Sequence, residues 1–466
     1  MIRRPRLAAL LLGVALVSAC GTTVPTAQQQ IVGGTSGASG PSGTVGLGTG
    51  GSTTGGLGSG AGATTGTSTG GATGGSAAIG TAGASTVGGS TGSGAPAPSA
   101  ADAAGIPKTG PGWDATHVYI GVPTADDFNS TVKAAGAATS NGDVHGDIDA
   151  IVSSLNKSGG VLGRQLVAVY HDAKTTDYAY NPSATAQQMC TYFTQDRPVV
   201  AVINGTPQLD GADNFHTCLE HAKISLLSLS NTDYADADYQ RLGPHLWTTA
   251  SLSTDVLVPT FVAALARQSF FTGWDSLNGS TGPAPVKVGA LLPDNVQGHH
   301  VASLMTPALK KVNLNLDSVF WYDPTGLGSK SQAEVLQFKS ANITHVLDLP
   351  PVAAEVWLFQ AAAEKQQYRP RYGFTSFDLP LSIEENSNIV PPRQQIGSLG
   401  IGWQPFNDTN SSHDPGLTSG GKRCLAALAQ GGQTFDGSQR RGALIAVQIC
   451  DAFTLLRDAL RDGRGF

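Results

Sequence analysis

The chain after Trp113 alternates short runs of β-branched residues with helical patterns, and this alternation is the feature that most constrains its fold. The runs are Val118–Val122, Gln165–Tyr170, Pro198–Ile203, Ile224–Leu229, Val286–Leu292, Val319–Tyr322, Ile343–Leu349 and Gly397–Ile401. Between the first two runs, apolar residues recur at helical spacing and two glycines follow as a stop signal: Ile148, Ile151, Val152, Leu155, Gly159 and Gly160. This pattern predicts an α/β fold of parallel sheets with helices on both faces.

The segment before Trp113 has a different composition. Residues 21–101 contain no charged and no aromatic side chain, only Gly, Ser, Thr, Ala and scattered small or polar residues. Such a segment cannot build an apolar core, so the sequence predicts a disordered linker. As a Gly-rich coil, ~90 residues would span about 50 Å on average, enough to lift a domain clear of a membrane. Roughly 350 residues remain for folding, a length suited to two lobes.

The N-terminus has the three parts of a signal peptide. Three arginines lie within the first six residues, the apolar stretch Leu7–Val17 follows, and Ser18 and Ala19 precede Cys20. The apolar stretch is about half of the ~20 residues that a membrane-spanning helix needs. The sequence Val-Ser-Ala-Cys at 17–20 resembles the lipobox of bacterial lipoproteins, in which the cysteine carries diacylglycerol. We therefore expect a signal peptide over residues 1–19 and a lipid anchor on Cys20 at the extracytoplasmic side of the cell membrane; an ordinary cleaved signal is the alternative.

The net charge limits the kinds of partner that the chain can bind, and the cysteine count predicts disulfides. Of the 28 basic residues, three lie in the signal peptide, so the mature chain has 25 basic and 34 acidic side chains and a net charge of −9. Nucleic acid is therefore excluded as an expected partner.

Four further cysteines remain: Cys190, Cys218, Cys424 and Cys450. An even number in an exported chain predicts two disulfides with three possible connectivities, of which we favour the two local pairs; four buried thiols are the alternative.

No metal site and no cofactor are expected. The segment His216–His221 is dense in metal-ligand residue types, but its two histidines are five positions apart, not the four that align on one helix face. Gly326–Ser331 lacks the Gly-Lys-Ser/Thr order of a phosphate loop, and we interpret it as a turn before a helix that starts at Ser331.

The loops that follow the predicted strands are polar and rich in hydroxyl groups. They are Pro123–Phe128, Asn204–Pro207 and Ser230–Asp233. In parallel sheets ligands bind beyond the carboxyl ends of the strands, so these loops could hold a small polar ligand. Ser, Thr, Asn and Asp are also the preferred helix caps, and one loop can serve both roles.

One family resemblance covers nearly the whole chain after Trp113. The segment Asn156–Leu166, with its glycines at 159, 160 and 163, precedes a strand and then His171–Lys174. This order resembles the signature of type I periplasmic binding proteins, the substrate-binding proteins of branched-chain amino-acid and amide importers of the ABC class. The resemblance implies two doubly wound lobes joined by crossing strands. We assign residues 20–112 to the lipidated cysteine and linker, 113–250 plus 404–466 to lobe 1, and 251–403 to lobe 2.

The resemblance also implies a solute site. Ser230 and Thr232 correspond to first-lobe positions that hold a ligand carboxylate, with the Thr206–Leu209 loop beside them. Gln297 stands where a second-lobe tyrosine often closes over the ligand, and Asp378 lies near the acidic position that pairs with an amino acid's ammonium. The family usually crosses back to complete the second lobe after the helix that includes Ile449 and Phe453, so the sequence predicts either a shortened member or a fragment.

These features predict a monomeric, lipid-anchored protein that captures a small polar solute, such as an amino acid or amide, between its lobes and delivers it to an ABC permease. A ligand sensor of the same fold that signals to a membrane partner is the first alternative. A secreted enzyme is the second, although the folded region contains no nucleophile elbow.

Overall fold

The computed structural model describes residues 109–205, 209, 211–229, 234–249, 251–323, 326, 328–349, 354–404, 408–410 and 416–462. Two five-stranded parallel sheets organise this part of the chain. Among the described residues, no helix combines the length and the apolar character needed to cross a membrane.

The first sheet has the strand order β2-β1-β3-β4-β5. Its strands are β1 (His117–Thr124), β2 (Gln165–Asp172), β3 (Ala201–Asn204), β4 (Ser225–Ser228) and β5 (Leu246–Thr248). The intervening helices are α1 (Phe128–Ala134), α2 (Val144–Lys157), α3 (Thr175–Tyr180), α4 (Pro182–Thr191), α5 (Asp213–His221) and α6 (Asp236–Leu242), and a π-helical turn at Tyr192–Asp196 continues α4. The central strand β3 is buried along its whole length, as expected for a sheet covered on both faces.

The second sheet has the strand order β12-β11-β10-β8-β9. Its strands are β8 (Val288–Pro293), β9 (Leu316–Tyr322), β10 (His345–Asp348), β11 (Arg371–Thr375) and β12 (Leu399–Ile401). Its helices are α7 (Thr254–Arg267), α8 (Val296–Lys311), α9 (Ser331–Ser340), α10 (Ala354–Lys365) and α11 (Pro380–Glu385), with 3₁₀ turns at Ser376–Asp378 and Pro392–Gln395. A short antiparallel hairpin, β6 (Trp274–Asp275) and β7 (Ser280–Thr281), precedes β8.

The two sheets have the same topology. If the strands of each sheet are numbered from its own first strand, both read 2-1-3-4-5, which is a doubly wound order. The predicted fold class, two doubly wound parallel-sheet lobes, is therefore confirmed.

The C-terminal helices pack on the first sheet. The last two helices of the described chain are α12 (Ser419–Gly431) and α13 (Arg440–Asp462). A 3₁₀ turn at Gly437–Gln439 lies between them. Leu428 and Phe453 are buried in one apolar cluster with Ile120 of β1 and Ile151 of α2. The chain thus returns to the first sheet after building the second. The exact lobe boundaries at 250 and 404 stay predictions.

Each of the eight predicted runs overlaps a strand, and the helix predicted from the apolar spacing at 148–155 is α2. The Asp143 carboxylate caps its N-terminus by accepting a hydrogen bond from the Gly146 amide at 3.0 Å. The helix ends at Lys157, just before the two glycines. Gly160 has φ +60°, and a Cβ there would overlap the Arg164 carbonyl oxygen, so this position of the signature requires glycine. Helix α9 begins at Ser331, as predicted.

Both favoured cysteine pairs are joined. Cys190 and Cys218 link α4 to α5 with their Cα atoms 6.1 Å apart. Cys424 and Cys450 link α12 to α13 at 5.8 Å. Each bridge fastens two neighbouring helices on the first sheet, and the alternative of four buried thiols is wrong.

Candidate functional site

The strand order locates the crevice of each sheet. Successive connections run in opposite directions on either side of β1 and β3 in the first sheet, and of β8 and β10 in the second. At such a switch point the loops separate beyond the carboxyl ends of the strands, and a ligand can enter between them. The residues that follow these four strands are therefore the candidate site.

On the first sheet, four side chains converge next to this crevice, at the carboxyl ends of β1 and its other neighbour β2. Thr124 ends β1 and pairs in register with Asp172, which ends β2. The Thr124 hydroxyl donates a hydrogen bond to the Asp172 carboxylate. Asp126 comes from the loop after β1, and His145 comes from the first turn of α2. The His145 Nε2 atom lies 3.1 Å from the Thr124 Oγ1, 3.1 Å from the Asp172 Oδ1 and 3.2 Å from the Asp126 Oδ1. We call these four residues the Asp–His–Asp cluster.

The two carboxyls of this cluster titrate differently. A hydrogen bond with Asp172 raises the pKa of Asp126, and partial burial adds to the effect. Burial also opposes ionisation of Asp172, but hydrogen bonds from Thr124 and His145 outweigh it and lower the pKa of that carboxyl. The two acids thus contact each other directly, with Asp172 as the ionised partner.

The His145 ring is held from its other side. It stacks on Tyr170 with ring centroids 4.3 Å apart and an interplanar angle of 16°. The Tyr170 hydroxyl in turn donates to the Asp149 carboxylate at 2.7 Å. Burial and this carboxylate raise the pKa of Tyr170, so the hydroxyl stays a donor. The imidazole is therefore oriented by packing as well as by its oxygen neighbours.

Asp127 and Tyr178 fix the loop that carries Asp126. The Asp127 carboxylate accepts hydrogen bonds from the amide and the hydroxyl of Thr175, both at 2.8 Å. The Tyr178 hydroxyl donates to the Thr124 carbonyl oxygen at 3.1 Å. These contacts tie the end of β1 to the start of α3.

On the second sheet, the switch point lies at the start of α8. Asp294 follows β8, and the Asn295 side chain caps α8 by accepting a hydrogen bond from the Gly298 amide at 2.8 Å. Gln297 is partly exposed in the first turn of this helix, so its side chain is available beside the crevice. His299 is exposed, and its Nε2 lies 3.1 Å from the Asp294 Oδ1.

Beneath the carboxyl ends of β10 and β11 lies a set of four buried carboxyls, the buried acid cluster. Asp348 ends β10, Asp378 follows β11, and Glu334 and Glu355 lie in the first turns of α9 and α10. Each is at most 1% exposed. The acids contact in two pairs, Asp348 with Asp378 and Glu334 with Glu355.

Burial sets the protonation of the buried acid cluster. Apart from the neighbouring carboxyl, neither oxygen of Glu334 or Asp348 has a hydrogen-bond partner in the described part of the chain. Burial first, and then the adjacent carboxylate, raises the pKa of Glu334 to about 9 and the pKa of Asp348 well above its usual range. Glu334 therefore keeps its proton at neutral pH.

Apart from Gln297, the residues predicted to bind the solute fall into two groups: some lie outside the described residues, and two others are buried. Thr206, Ser230 and Thr232 lie outside the described residues, as does Cys20. Leu209 has an exposed fraction of 0% and packs in the apolar core of the first lobe, so its side chain presents no surface to a solute in this conformation. Asp378 is equally buried, and its Oδ2 accepts a hydrogen bond from the Thr375 amide at 2.6 Å.

The lobes also contact each other directly. Asn386, just after α11, is fully buried. Its Oδ1 accepts a hydrogen bond from the Ala138 amide at 2.6 Å, and its Nδ2 donates to the Thr139 hydroxyl at 2.9 Å. Nearby, the exposed Asn388 donates to the Gly136 carbonyl oxygen at 2.7 Å. The segment after α1 is thereby fastened to the second lobe.

A cavity of about 890 Å³ lies between α11 and β12 of the second lobe. Apolar side chains such as Phe374, Val390 and Trp403 supply much of its lining, and the half-buried Asp408 is one of its acids. The Asp408 Oδ2 accepts hydrogen bonds from the Ser376 hydroxyl at 2.9 Å and the Gln404 amide at 2.7 Å. Burial raises the pKa of Asp408 to about 6. This cavity flanks the edge strand of the second sheet rather than its switch point.

No protein-family model matches the chain, and no curated protein sequence matches it. The structure is similar to the solute-binding protein of an ABC transporter from R. palustris in complex with 4-hydroxybenzoate, with a TM-score of 0.50 and 13% identity over 74% of this chain and 80% of that chain. It is also similar to a solute-binding protein of an ABC transporter from Rhodopseudomonas palustris HaA2 in complex with p-hydroxybenzoic acid, with a TM-score of 0.50 and 12% identity over 75% and 82% of the two chains. The chain has the fold of the type I periplasmic binding proteins, and the resemblance seen in the sequence is confirmed at the level of the fold.

The sequence pointed to the Pro123–Phe128 loop, which contains Thr124 and Asp126, but not to their meeting with His145 and Asp172. The members of the Asp–His–Asp cluster are separated by up to 48 residues, and His145 belongs to no spacing motif. One signal was present: Thr124 and Asp172 each follow the apolar core of a predicted strand. If β1 and β2 are taken as parallel neighbours in register, these residues meet at the same sheet edge.

Proposed function

We propose that this chain is the solute-binding protein of an ABC importer and captures a small polar solute between its two lobes. The observation that carries the proposal is the pair of sheets with one topology, each with a switch point at its carboxyl ends. That architecture is shared with two solute-binding proteins whose structures contain a small aromatic carboxylate. Ligand capture between lobes removes the solute from water and shifts the protein toward a closed state.

A thermal-melt screen of the full chain tests the proposal. Amino acids, amides, sugars and short carboxylates, with 4-hydroxybenzoate among them, are each added in excess. A ligand at 100 times its dissociation constant adds about 2.7 kcal/mol of stability. We expect one class to raise the melting temperature. A cooperative melt that no compound shifts would contradict the proposal.

Variants locate the response. Gln297→Ala should weaken the shift because this side chain lies at the second switch point, and the double change Ser230→Ala with Thr232→Ala should weaken it from the first lobe. Ser303→Ala is the matched control: Ser303 is exposed on α8, six residues after Gln297, and donates to the His300 carbonyl oxygen at 2.7 Å. If the control reduces the shift as much as Gln297→Ala does, the site is not where we place it.

We further propose that the protein is a lipoprotein anchored through Cys20 on the extracytoplasmic face of the cell membrane and that its partner there is an ABC permease. The support is the order of charged, apolar and small residues before Cys20. Cell fractionation tests this directly. The wild-type chain should sediment with membranes and incorporate labelled palmitate, and Cys20→Ser should do neither. Label in the Cys20→Ser protein would contradict the anchor.

A further inference from the structure

The Asp–His–Asp cluster is built by four separate segments of the first lobe. Thr124 and Asp172 are fixed by the parallel register of β1 and β2, Asp126 by the loop tied down through Asp127, and His145 by the first turn of α2. One imidazole nitrogen, two carboxylate oxygens and one hydroxyl oxygen converge there. The ligand atoms of the histidine and the two aspartates all lie within 4.8 Å of one another.

The His145 Nε2 atom has more oxygen neighbours than it can pair with by hydrogen bonds. The Nε2 atom carries either one hydrogen or one lone pair, yet three oxygen atoms lie within 3.2 Å of it. The two carboxyls beside it also contact each other, and carboxylates in contact need a proton or a cation between them. A cation between the imidazole and the two carboxylates would bind all three groups, while the Thr124 hydroxyl still donates to Asp172.

The spacing fits a divalent metal. Bonds of about 2.0–2.2 Å from zinc to nitrogen and oxygen place neighbouring ligand atoms about 2.9–3.6 Å apart in tetrahedral or octahedral geometry. The distances from Nε2 to the carboxylate oxygens of Asp172 and Asp126, 3.1 and 3.2 Å, fall within this range. The imidazole favours zinc and other first-row metals over calcium and magnesium, which prefer ligand sets made only of oxygen.

We propose that Asp126, His145 and Asp172 form a divalent-cation site, selective for zinc-like metals, at the carboxyl edge of the first lobe, and that the Thr124 hydroxyl orients Asp172 by donating to its carboxylate. The stacking of His145 on Tyr170, and the hydrogen bond from Tyr170 to Asp149, supply the outer contacts that orient a metal-ligating imidazole. The side chains of Asp126, His145 and Asp172 are 57%, 35% and 38% exposed, so an ion can enter from solvent without rearrangement of the core. This inference is independent of which solute the protein binds.

Calorimetric titration of the full, untagged chain with Zn²⁺ at pH 7 tests the site. We expect His145→Ala to remove one Zn²⁺ per chain, or to weaken its binding at least 30-fold, because it loses the only nitrogen ligand. Asp126→Asn should weaken binding about tenfold, and since this carboxyl is exposed the variant should fold. Ca²⁺ and Mg²⁺ should bind wild type at least tenfold more weakly than Zn²⁺.

His117→Ala is the matched control. The His117 side chain is 37% exposed and lies 3.2 Å from one carboxylate, that of Asp114, whereas His145 lies beside two. This variant should keep wild-type Zn²⁺ affinity within twofold. Because Cys20 is present in every protein compared, Zn²⁺ bound by its thiol would not differ between variants. Equal Zn²⁺ binding by wild type and His145→Ala would overturn the proposal. So would an effect of His117→Ala as large as that of His145→Ala. Melting curves confirm that each variant is folded.

Discussion

Replacement of Glu334 by glutamine should stabilise the protein at alkaline pH. Glu334 is fully buried and has no hydrogen-bond partner in the described chain except the carboxyl of Glu355. Burial raises its pKa from 4.5 to about 9. Below pH 4.5 the folded and unfolded states both hold this proton, so it makes no contribution. Above that pH the unfolded chain releases the proton while the folded chain keeps it, and the free energy of unfolding falls as pH rises until about pH 9.

The size of the effect follows from proton linkage. Each proton that only the folded state retains costs about 1.4 kcal/mol of stability per pH unit. Asp348 is raised in the same direction by burial and by Asp378. From Glu334 alone, wild type should lose about 1.4 kcal/mol per unit from pH 7 toward pH 9. Glu334→Gln removes one titrating group, so its slope should be shallower by about 1.4 kcal/mol per unit, and at pH 8 it should be more stable than wild type by a few kcal/mol.

The pH window is chosen so that buried histidines do not interfere. Burial lowers the pKa of His216 and of His345 to about 4, so their linkage acts between pH 4 and 6.5 and has the opposite sign. Urea unfolding followed by tryptophan fluorescence at half-unit steps from pH 7 to 9 measures the slope. Glu384→Gln, at an exposed glutamate of α11, is the control and should follow wild type. Parallel curves for wild type and Glu334→Gln would refute the reasoning.

Three further predictions concern stability. Removal of the α4–α5 disulfide by the double change Cys190→Ser and Cys218→Ser should lower the free energy of unfolding by about 3 to 4 kcal/mol, because the bridge joins residues 28 positions apart. Urea titration measures this loss, and a loss below about 1 kcal/mol would contradict the chain-entropy account. Gly160→Ala should cost at least about 2 kcal/mol because its φ is +60° and the Arg164 carbonyl occupies the Cβ position, and an unchanged melting temperature would be inconsistent with that conformation. Asn386→Ala should destabilise by about 1 to 3 kcal/mol because it removes the hydrogen bond that the fully buried Asn386 donates to the buried Thr139 hydroxyl, whereas Asn388→Ala at an exposed contact should cost under about 1 kcal/mol.

The sequence predicts the fold well where a short repeat determines the structure. Buried parallel strands are runs of four to eight residues, and eight runs could be found one at a time. β11 was missed because its sequence, Arg-Tyr-Gly-Phe-Thr, contains a charge and a glycine. Inside the structure the Arg371 guanidinium is satisfied by the carbonyl oxygens of Gly397 and Phe270, so the charge does not prevent a strand. Such compensation comes from residues far away in the chain.

The acidic residues show why the site was harder to predict than the fold. Exposed and buried carboxyls look the same in a sequence, and Asp378 was singled out as a possible partner for an ammonium group. In the structure Asp378 is fully buried beside Asp348, and this burial raises its pKa. Asp172 has the opposite environment: hydrogen bonds outweigh burial and lower its pKa. The difference depends on packing depth, which local spacing does not encode.

This distribution of acids leads to a last prediction about the solute. The carboxyl edge of the first lobe has an ionised Asp172 beside Asp126, the second switch point has the exposed Asp294, and the full chain carries a net charge of −6. An anion brought to these edges would lie near like charges, at a cost that grows as water is excluded. Amides and amines should therefore raise the melting temperature more than 4-hydroxybenzoate at equal concentration, and the difference should shrink as salt screens the exposed carboxylates. A larger shift with 4-hydroxybenzoate at low salt would mean that loop residues outside these acids determine the selectivity.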